Sequence, residues 1–173
     1  MIPVLTGERV VLRGLSWADF PSFADMWADP ELERFLPFAP IELGLCWARM
    51  NRIFWHWAHY GFGNFAVIGR ADGRFLGQAG FFYAERGIGS DFDTSPEAGW
   101  VLAGHARGRG LATEAMTLAH RWFDAQPFGG RTVCMIDTEH RGSIRVAEKC
   151  GYHLLRIKRD QWGPVQLMER AAA

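Results

Sequence analysis

The chain has 173 residues, of which 49% are hydrophobic and 14% aromatic, with eight tryptophans; that excludes a disordered chain and suffices for one domain, residues 1–173, with a substantial core. Lys+Arg and Asp+Glu balance at 19 each, so no overall charge points to nucleic acid and any basic function is local. No apolar run reaches the ~18 residues of a membrane span, and the N-terminus lacks a signal-peptide pattern, so a cytoplasmic protein without a membrane partner is expected.

In chain order, Arg9 to Gly14 reads as a first strand and Ser16 as the N-cap of a first helix. A second helix covers Ile41 to His59. It is unusually aromatic, with Trp47, Phe54, Trp55, Trp57 and Tyr60, and with Phe35, Leu36 and Phe38 before it. Asn64–Arg70 and Arg74–Phe82 form a hairpin around Asp72-Gly73, a strong turn signal. Arg86 to Pro96, rich in Gly, Asp and Ser, reads as an exposed loop. A fourth strand follows, with the apolar run Trp100-Val101-Leu102 after Gly99. Beyond it, Leu111, Ala115, Leu118, Ala119 and Trp122 make one stripe of a helix that starts where Arg107-Gly108-Arg109-Gly110 ends. Arg131–Asp137 is a fifth, buried strand. Ser143 caps a short helix with Ile144, Val146, Ala147 and Cys150 inward. Gly151 ends that helix, and Tyr152 opens the first of two closing strands. The pattern gives an α+β or α/β sheet of mixed direction.

The turn at residues 107–112 is the clearest chemical signal. A helix start leaves about four N–H groups without partners and carries roughly half a positive charge, so an anion fits there. Gly108 and Gly110 permit close approach of a phosphate, and Arg107 and Arg109 add guanidinium donors. A Walker A loop is absent, since no Gly-x4-Gly-Lys-Ser/Thr spacing exists. A dinucleotide fingerprint fails at Thr113, where its third glycine belongs. Cys46, Cys134 and Cys150 lack metal spacing and read as buried thiols, so no metal is expected.

Taken with their neighbours, these residues resemble the GNAT family of N-acetyltransferases, in the branch of the ribosomal-protein-alanine N-acetyltransferases. Arg107-Gly108-Arg109-Gly110-Leu111-Ala112 matches that family's acetyl-CoA motif. Glu97-Ala98-Gly99-Trp100, Ala112-Thr113-Glu114-Ala115 and Ser143 through Tyr152 match further segments in the right order. Glu8–Arg13 and Asp29–Leu32 are similar to the branch's first strand and helix.

The resemblance implies a mixed, mostly antiparallel seven-stranded sheet with about four helices, whose fourth and fifth strands splay apart. It implies acetyl-CoA as cosubstrate, with pantetheine on backbone at Val101 and Ala103 and pyrophosphate on residues 107–112. His140 stands where the family commonly has a pantetheine-contacting Asn; its other reading is a surface loop histidine. The family's usual acid, a Tyr four residues before the last Gly, is Ala147 here, which leaves Ser143 as substitute proton donor. Glu97 is the first choice for general base, with Asp137, His56 and His59 as further candidates, and Val101 is the expected oxyanion donor.

The expected reaction is direct attack of a primary amine on acetyl-CoA in a ternary complex. The acceptor is a protein N-terminus, or alternatively a small amine such as an amino acid or antibiotic. A CoA-binding regulatory module without catalysis is the other class. The aromatic second helix lines the acceptor pocket, a dimer face or only the core, and the chain is a monomer or homodimer.

Overall fold

The computed structural model describes residues 1–36, 38–161 and 163–171. Its strands are β1 (Leu5–Thr6), β2 (Val10–Arg13), β3 (Asn64–Gly69), β4 (Phe75–Phe82), β5 (Glu97–Leu102), β6 (Thr132–Asp137), β7 (His153–Asp160) and β8 (Gly163–Arg170). The α-helices are α1 (Phe20–Trp27), α2 (Leu43–Tyr60), α3 (Ser90–Asp93), α4 (Leu111–Asp124) and α5 (Arg141–Lys149). The strands form one sheet in the order β1-β2-β3-β4-β5-β6-β8-β7, antiparallel throughout except between β5 and β6.

Eight strands and five α-helices replace the expected seven and about four. The additions are short: β1 is a two-residue pairing with β2, and α3 is a single turn inside the segment read as an exposed loop. That segment is docked. Phe92 is fully buried with Val133 and Leu167, and Arg131 holds it down by donating to Asp91 O and Ser95 Oγ.

Local chemistry explains the boundaries. At the end of β2, Arg13 donates a two-pronged pair of hydrogen bonds to Asp19 (2.8 and 2.7 Å), which also accepts from Ser16 N–H and Oγ. This box starts a 3-10 turn, and α1 follows with Pro21 in its first turn. Gly61, at φ 76°, ends α2 in the left-handed conformation that favours glycine. The β3–β4 hairpin turns at Gly73 (φ 69°), as its Asp-Gly pair predicts.

The two faces of the sheet receive different helices. Side chains alternate along a strand, so Phe65, Ala79 and Phe81 face α4, where Phe81 meets Phe123 at 4.3 Å and Phe65 meets Trp122 at 5.4 Å between ring centroids. Asn64, Gln78 and Phe82 have the opposite parity and face α2. The main core joins both layers, from Val10 and Leu12 through Met50 and Ile53 to Ala115 and Phe123.

β5 and β6 share a single registered pair, Glu97 with Val133. Beyond it they separate, and the β6-facing edge of residues 98–102 has no strand partner. This is the splay that the sequence motifs imply.

Candidate active site

The free edge of β5 has a defined polarity. Ala103 N–H donates to Leu76 O on β4 (2.9 Å), and Val133 N–H donates to Pro96 O from the β6 side (3.0 Å). Backbone groups alternate along a strand, so Val101 shares the parity of Ala103 and bonds toward Gln78, its registered partner on β4. Trp100 and Leu102 point their N–H groups into the splay. This corrects the expectation for Val101 and Ala103: their N–H groups are already spent on β4, and Ala103 O accepts from Ala106. The main-chain donors on the free edge are those of Trp100 and Leu102, one residue away.

The edge leads into the glycine turn. Gly108 and Gly110 have φ of 73° and 75°, a region where a side chain costs about 1–2 kcal/mol. A Cβ at Gly108 would meet nothing within 4 Å, so the turn is open on that side. The N–H groups of residues 108 to 113, including Leu111 and Ala112, meet no acceptor among the described residues. Converging unpaired amides at the start of a 14-residue helix form an anion nest, and its chemistry fits a pyrophosphate.

The two arginines of the turn divide their work. Arg107 Nε donates to Leu102 O (2.9 Å), and its Nη2 lies 2.7 Å from Asp29 Oδ2. Arg107 is therefore a brace between the end of β5 and the α1–α2 connection, not the free phosphate clamp expected of it. Among the described residues the Arg109 side chain makes no ion pair, and it borders an open basin with Arg9 and Arg70. Glu114 is a strut as well, accepting from Arg9 N–H at 2.7 Å and Arg9 Nε at 2.8 Å and fastening β2 to α4.

Across the splay, α5 begins at Arg141, three residues before the start that a Ser143 cap implies, and its N-cap is His140 instead of Ser143. His140 Nδ1 accepts from Ser143 N–H (3.4 Å), and its ring stacks on Phe35 at 3.9 Å. Burial pushes the His140 pKa below its usual value, and Arg107 and Arg34 reinforce this against Asp137. The ring is therefore neutral at pH 7, a cap and a stacking platform instead of a surface histidine. Ser143 is half-buried at the mouth, and Ala147 is fully buried in the core. Asp137 turns back to accept from Glu139 N–H (2.7 Å).

Glu97 stands at the fork of the splay, 4% exposed. Arg86 donates to both of its oxygens, at 2.6 and 2.8 Å. Such a two-pronged pair occupies both carboxylate oxygens with a charged donor. The free general base expected at Glu97 is in the structure one half of an ion pair. His56 is engaged too: its Nε2 accepts from Tyr83 N–H (3.1 Å), which places the proton on Nδ1 for donation to Arg52 O (3.0 Å). His59 stacks on Trp55 at 4.6 Å.

The face of the sheet under α2 holds what sequence reasoning missed. A small recess, enclosing about 20 Å³ and open to solvent at its mouth, is lined by Arg49, Arg52, Ile53, His56, Asn64, Gln78 and Phe82. Gln78 lies beside Val101 in register, which places the recess against the free end of β5. The signal was present: Asn64 and Gln78 are polar residues inside strands whose neighbours are apolar and buried. The aromatic residues of α2 are divided in role. Trp57 is core, Trp47 and Trp55 are about half exposed, and Trp47 stacks on Trp17 at 6.1 Å.

Among the described residues no group of three or more His, Cys, Asp or Glu could hold a metal ion, and no helix is long and apolar enough to cross a membrane. Cys134 is buried, and that burial pushes its thiol well above its usual range.

Comparison with known proteins adds four findings. The profile of the family described as "Acetyltransferase (GNAT) domain" matches residues 9–153. A Bordetella pertussis structure described as a GNAT-family acetyltransferase is 30% identical, with 98% of this chain and 99% of that one covered and a TM-score of 0.87. The Bacillus subtilis protein YkkB is 28% identical over 96% of this chain and 94% of its own length. The ribosomal-protein-S5-alanine acetyltransferase of Vibrio fischeri has the same fold, at 15% identity and TM-score 0.76 over 98% and 97% of the two chains.

Proposed function

Since the chain belongs to the GNAT acetyltransferase family, we propose that it is an acetyl-CoA-dependent N-acetyltransferase acting on a primary amine by direct attack in a ternary complex. One observation carries the reading: an unpaired strand edge at Trp100 and Leu102 runs into a nest of unpaired amides at residues 108 to 113. A strand-like pantetheine arm followed by a pyrophosphate is the complement of that sequence of donors.

Acetyl-CoA, when bound, supplies an acetyl group already activated as a thioester. The amides of the turn and the Arg109 guanidinium hold the pyrophosphate. The N–H groups of Trp100 and Leu102 are the donors available to the pantetheine amides and to the oxygen on which charge grows during acyl transfer. Ser143 is the hydroxyl available to return a proton to the departing thiolate, since Ala147 has none to give. With Glu97 tied to Arg86, the site favours an amine that loses its proton readily. The α-amino group of a peptide chain, near about 7.7–8.0, meets that condition more easily than a lysine-type amine near about 10.4. A protein N-terminus or a small amine is thus the acceptor class, the small amine needing its ammonium form disfavoured by the site.

Thermal unfolding with acetyl-CoA, CoA, ATP and NAD in parallel tests the cofactor. At a hundredfold excess over the dissociation constant, a specific ligand stabilises by about 2.7 kcal/mol, and the shift is expected with acetyl-CoA and CoA alone. Equal shifts with ATP and NAD, or none with CoA, would sink the reading. The pairing of Glu97 and the apolar Ala147 favour one second reading, a CoA-binding module without catalysis. CoA binding with no thiol release across a panel of amines would select it.

A further inference from the structure

The recess under α2 is electropositive. The Arg49 guanidinium lies over the Trp27 ring at 4.4 Å and the Phe38 ring at 4.7 Å and makes no ion pair among the described residues. Burial first, and the neighbouring charges of Arg52 and Arg86 after it, lower its pKa to about 10 against the Cys46 thiol. Arg52 opens on the same recess, also without an ion pair. Glu97 has both oxygens occupied by Arg86, on which Asp93 also acts, and among the described residues neither Arg49 nor Arg52 has a carboxylate in an ion pair. A half-buried cation without an anion is unfavourable unless a ligand brings the anion.

The floor of the recess has the opposite need. Asn64 Oδ1 and Gln78 Oε1 are buried and have no hydrogen-bond donor. Both residues are under a tenth exposed (7% and 8%), and both side chains line the recess. A buried amide oxygen without a donor costs free energy that an N–H group of a ligand would remove. Guanidiniums above and bare amide oxygens below complement a molecule that is anionic at one end and an amine at the other.

We propose that the acceptor is a small primary amine that carries a carboxylate, of the amino-acid type, with the carboxylate on Arg49 and Arg52 and the amine over Gln78 and Asn64. This deepens the acetyltransferase reading and rests on it for the identity of the recess as the acceptor site. Gln78 lies beside Val101, so an amine at Gln78 stands next to the free end of β5, where the acyl group is expected. The same cations repel an ammonium and so favour the neutral amine that attack requires. Polyamines, which bring only positive charge, are excluded by the same logic.

The test uses the full chain with CoA present and matched probes: L-phenylalanine, L-methionine and β-alanine, their carboxamides, and spermidine. Calorimetric titration reads binding without turnover, and thiol release from acetyl-CoA reads turnover. At least one carboxylated amine is expected to bind tenfold or more tightly than its carboxamide, with no measurable binding of spermidine. Arg52→Gln is expected to bring the two affinities within about threefold. Arg52 is exposed, so this variant folds even if Arg49→Gln, which loses its stack on Trp27, does not. Carboxamides or spermidine binding as well as the carboxylated amines, no binding of any carboxylated amine, or a preference that survives Arg52→Gln would overturn the proposal. Binding with that preference but without thiol release would keep it and remove the catalytic reading instead.

Discussion

The glycine turn at residues 107–113 and the recess under α2 both face the split between β5 and β6, but they are made of different material. The turn presents main-chain N–H groups; Arg107 is turned away to Asp29, and Arg109 alone projects freely. The recess presents side chains, with Arg49, Arg52, Asn64 and Gln78 around one small volume. Main-chain donors read an invariant ligand and tolerate substitution at neighbouring side chains. Side-chain donors read a particular ligand, and each substitution there changes what is accepted. In the proposed reaction the invariant partner would be held by backbone and the variable one by side chains.

A buried histidine under each region offers the strongest way to separate them. His120, on the face of α4 away from the turn, packs against Phe81 and Tyr152 and has no hydrogen bond at either ring nitrogen. Burial lowers its pKa to about 3, with Arg170 adding to the effect against Asp124. The unfolded chain takes up a proton near about 6.5 and the folded chain does not, so stability present above that pH is lost as pH falls toward 3. The slope is about 1.4 kcal/mol per pH unit, reaching roughly 4–5 kcal/mol in all. His120→Phe is expected to flatten the slope between pH 6.5 and 4.5 in urea titrations. His56→Phe, which loses two hydrogen bonds, is expected to cost about 1–3 kcal/mol even at pH 7. If both variants behaved alike, the contrast between the two histidines would fail.

A smaller effect tests the backbone site itself. Gly108→Val places a branched side chain at φ 73° and in the open mouth of the nest. CoA affinity is expected to fall about 30-fold, or ~2 kcal/mol, by calorimetry. Unaltered affinity would move the phosphate elsewhere. Glu97→Gln lies between the regions, and it is expected to lower stability by about 1–3 kcal/mol through the loss of Arg86's partner. The pH–rate profile should keep its shape; a lost alkaline or acidic limb would restore Glu97 as the base. The smallest effect is reserved for Val101→Ala, where CoA affinity is expected to change by less than about twofold, since only the backbone of β5 is used.

Much of this was legible in the residues. The helical stripe from Leu111 to Trp122, the Asp72-Gly73 hairpin and the nest at the head of α4 are local features, set by spacing and by glycine, and the structure has them where the sequence puts them. What was not legible depends on partners distant in sequence. Glu97 could not be read as an ion pair without knowing that Arg86 folds back on it, nor Arg107 as a brace without Asp29. The parity of β5 was unreadable as well, because only the bonds of Ala103 to Leu76 and of Val133 to Pro96 decide which residues face the splay. His140 as a cap required the ring of Phe35, more than a hundred residues earlier in the chain, to lie on it.

The start of α4 carries a further consequence. Its N-cap is Gly110, which has no side chain to fold back on the amides that follow. Under the proposed function the helix would be finished by something the chain does not encode, an anion arriving from solution. The folded lifetime of the molecule would then be coupled to the supply of that anion. A copy in a ligand-poor cell has the more frayed helix and is the first one open to proteases, while a copy in a well-supplied cell persists. The abundance of the protein would then follow its metabolite without any dedicated regulatory element.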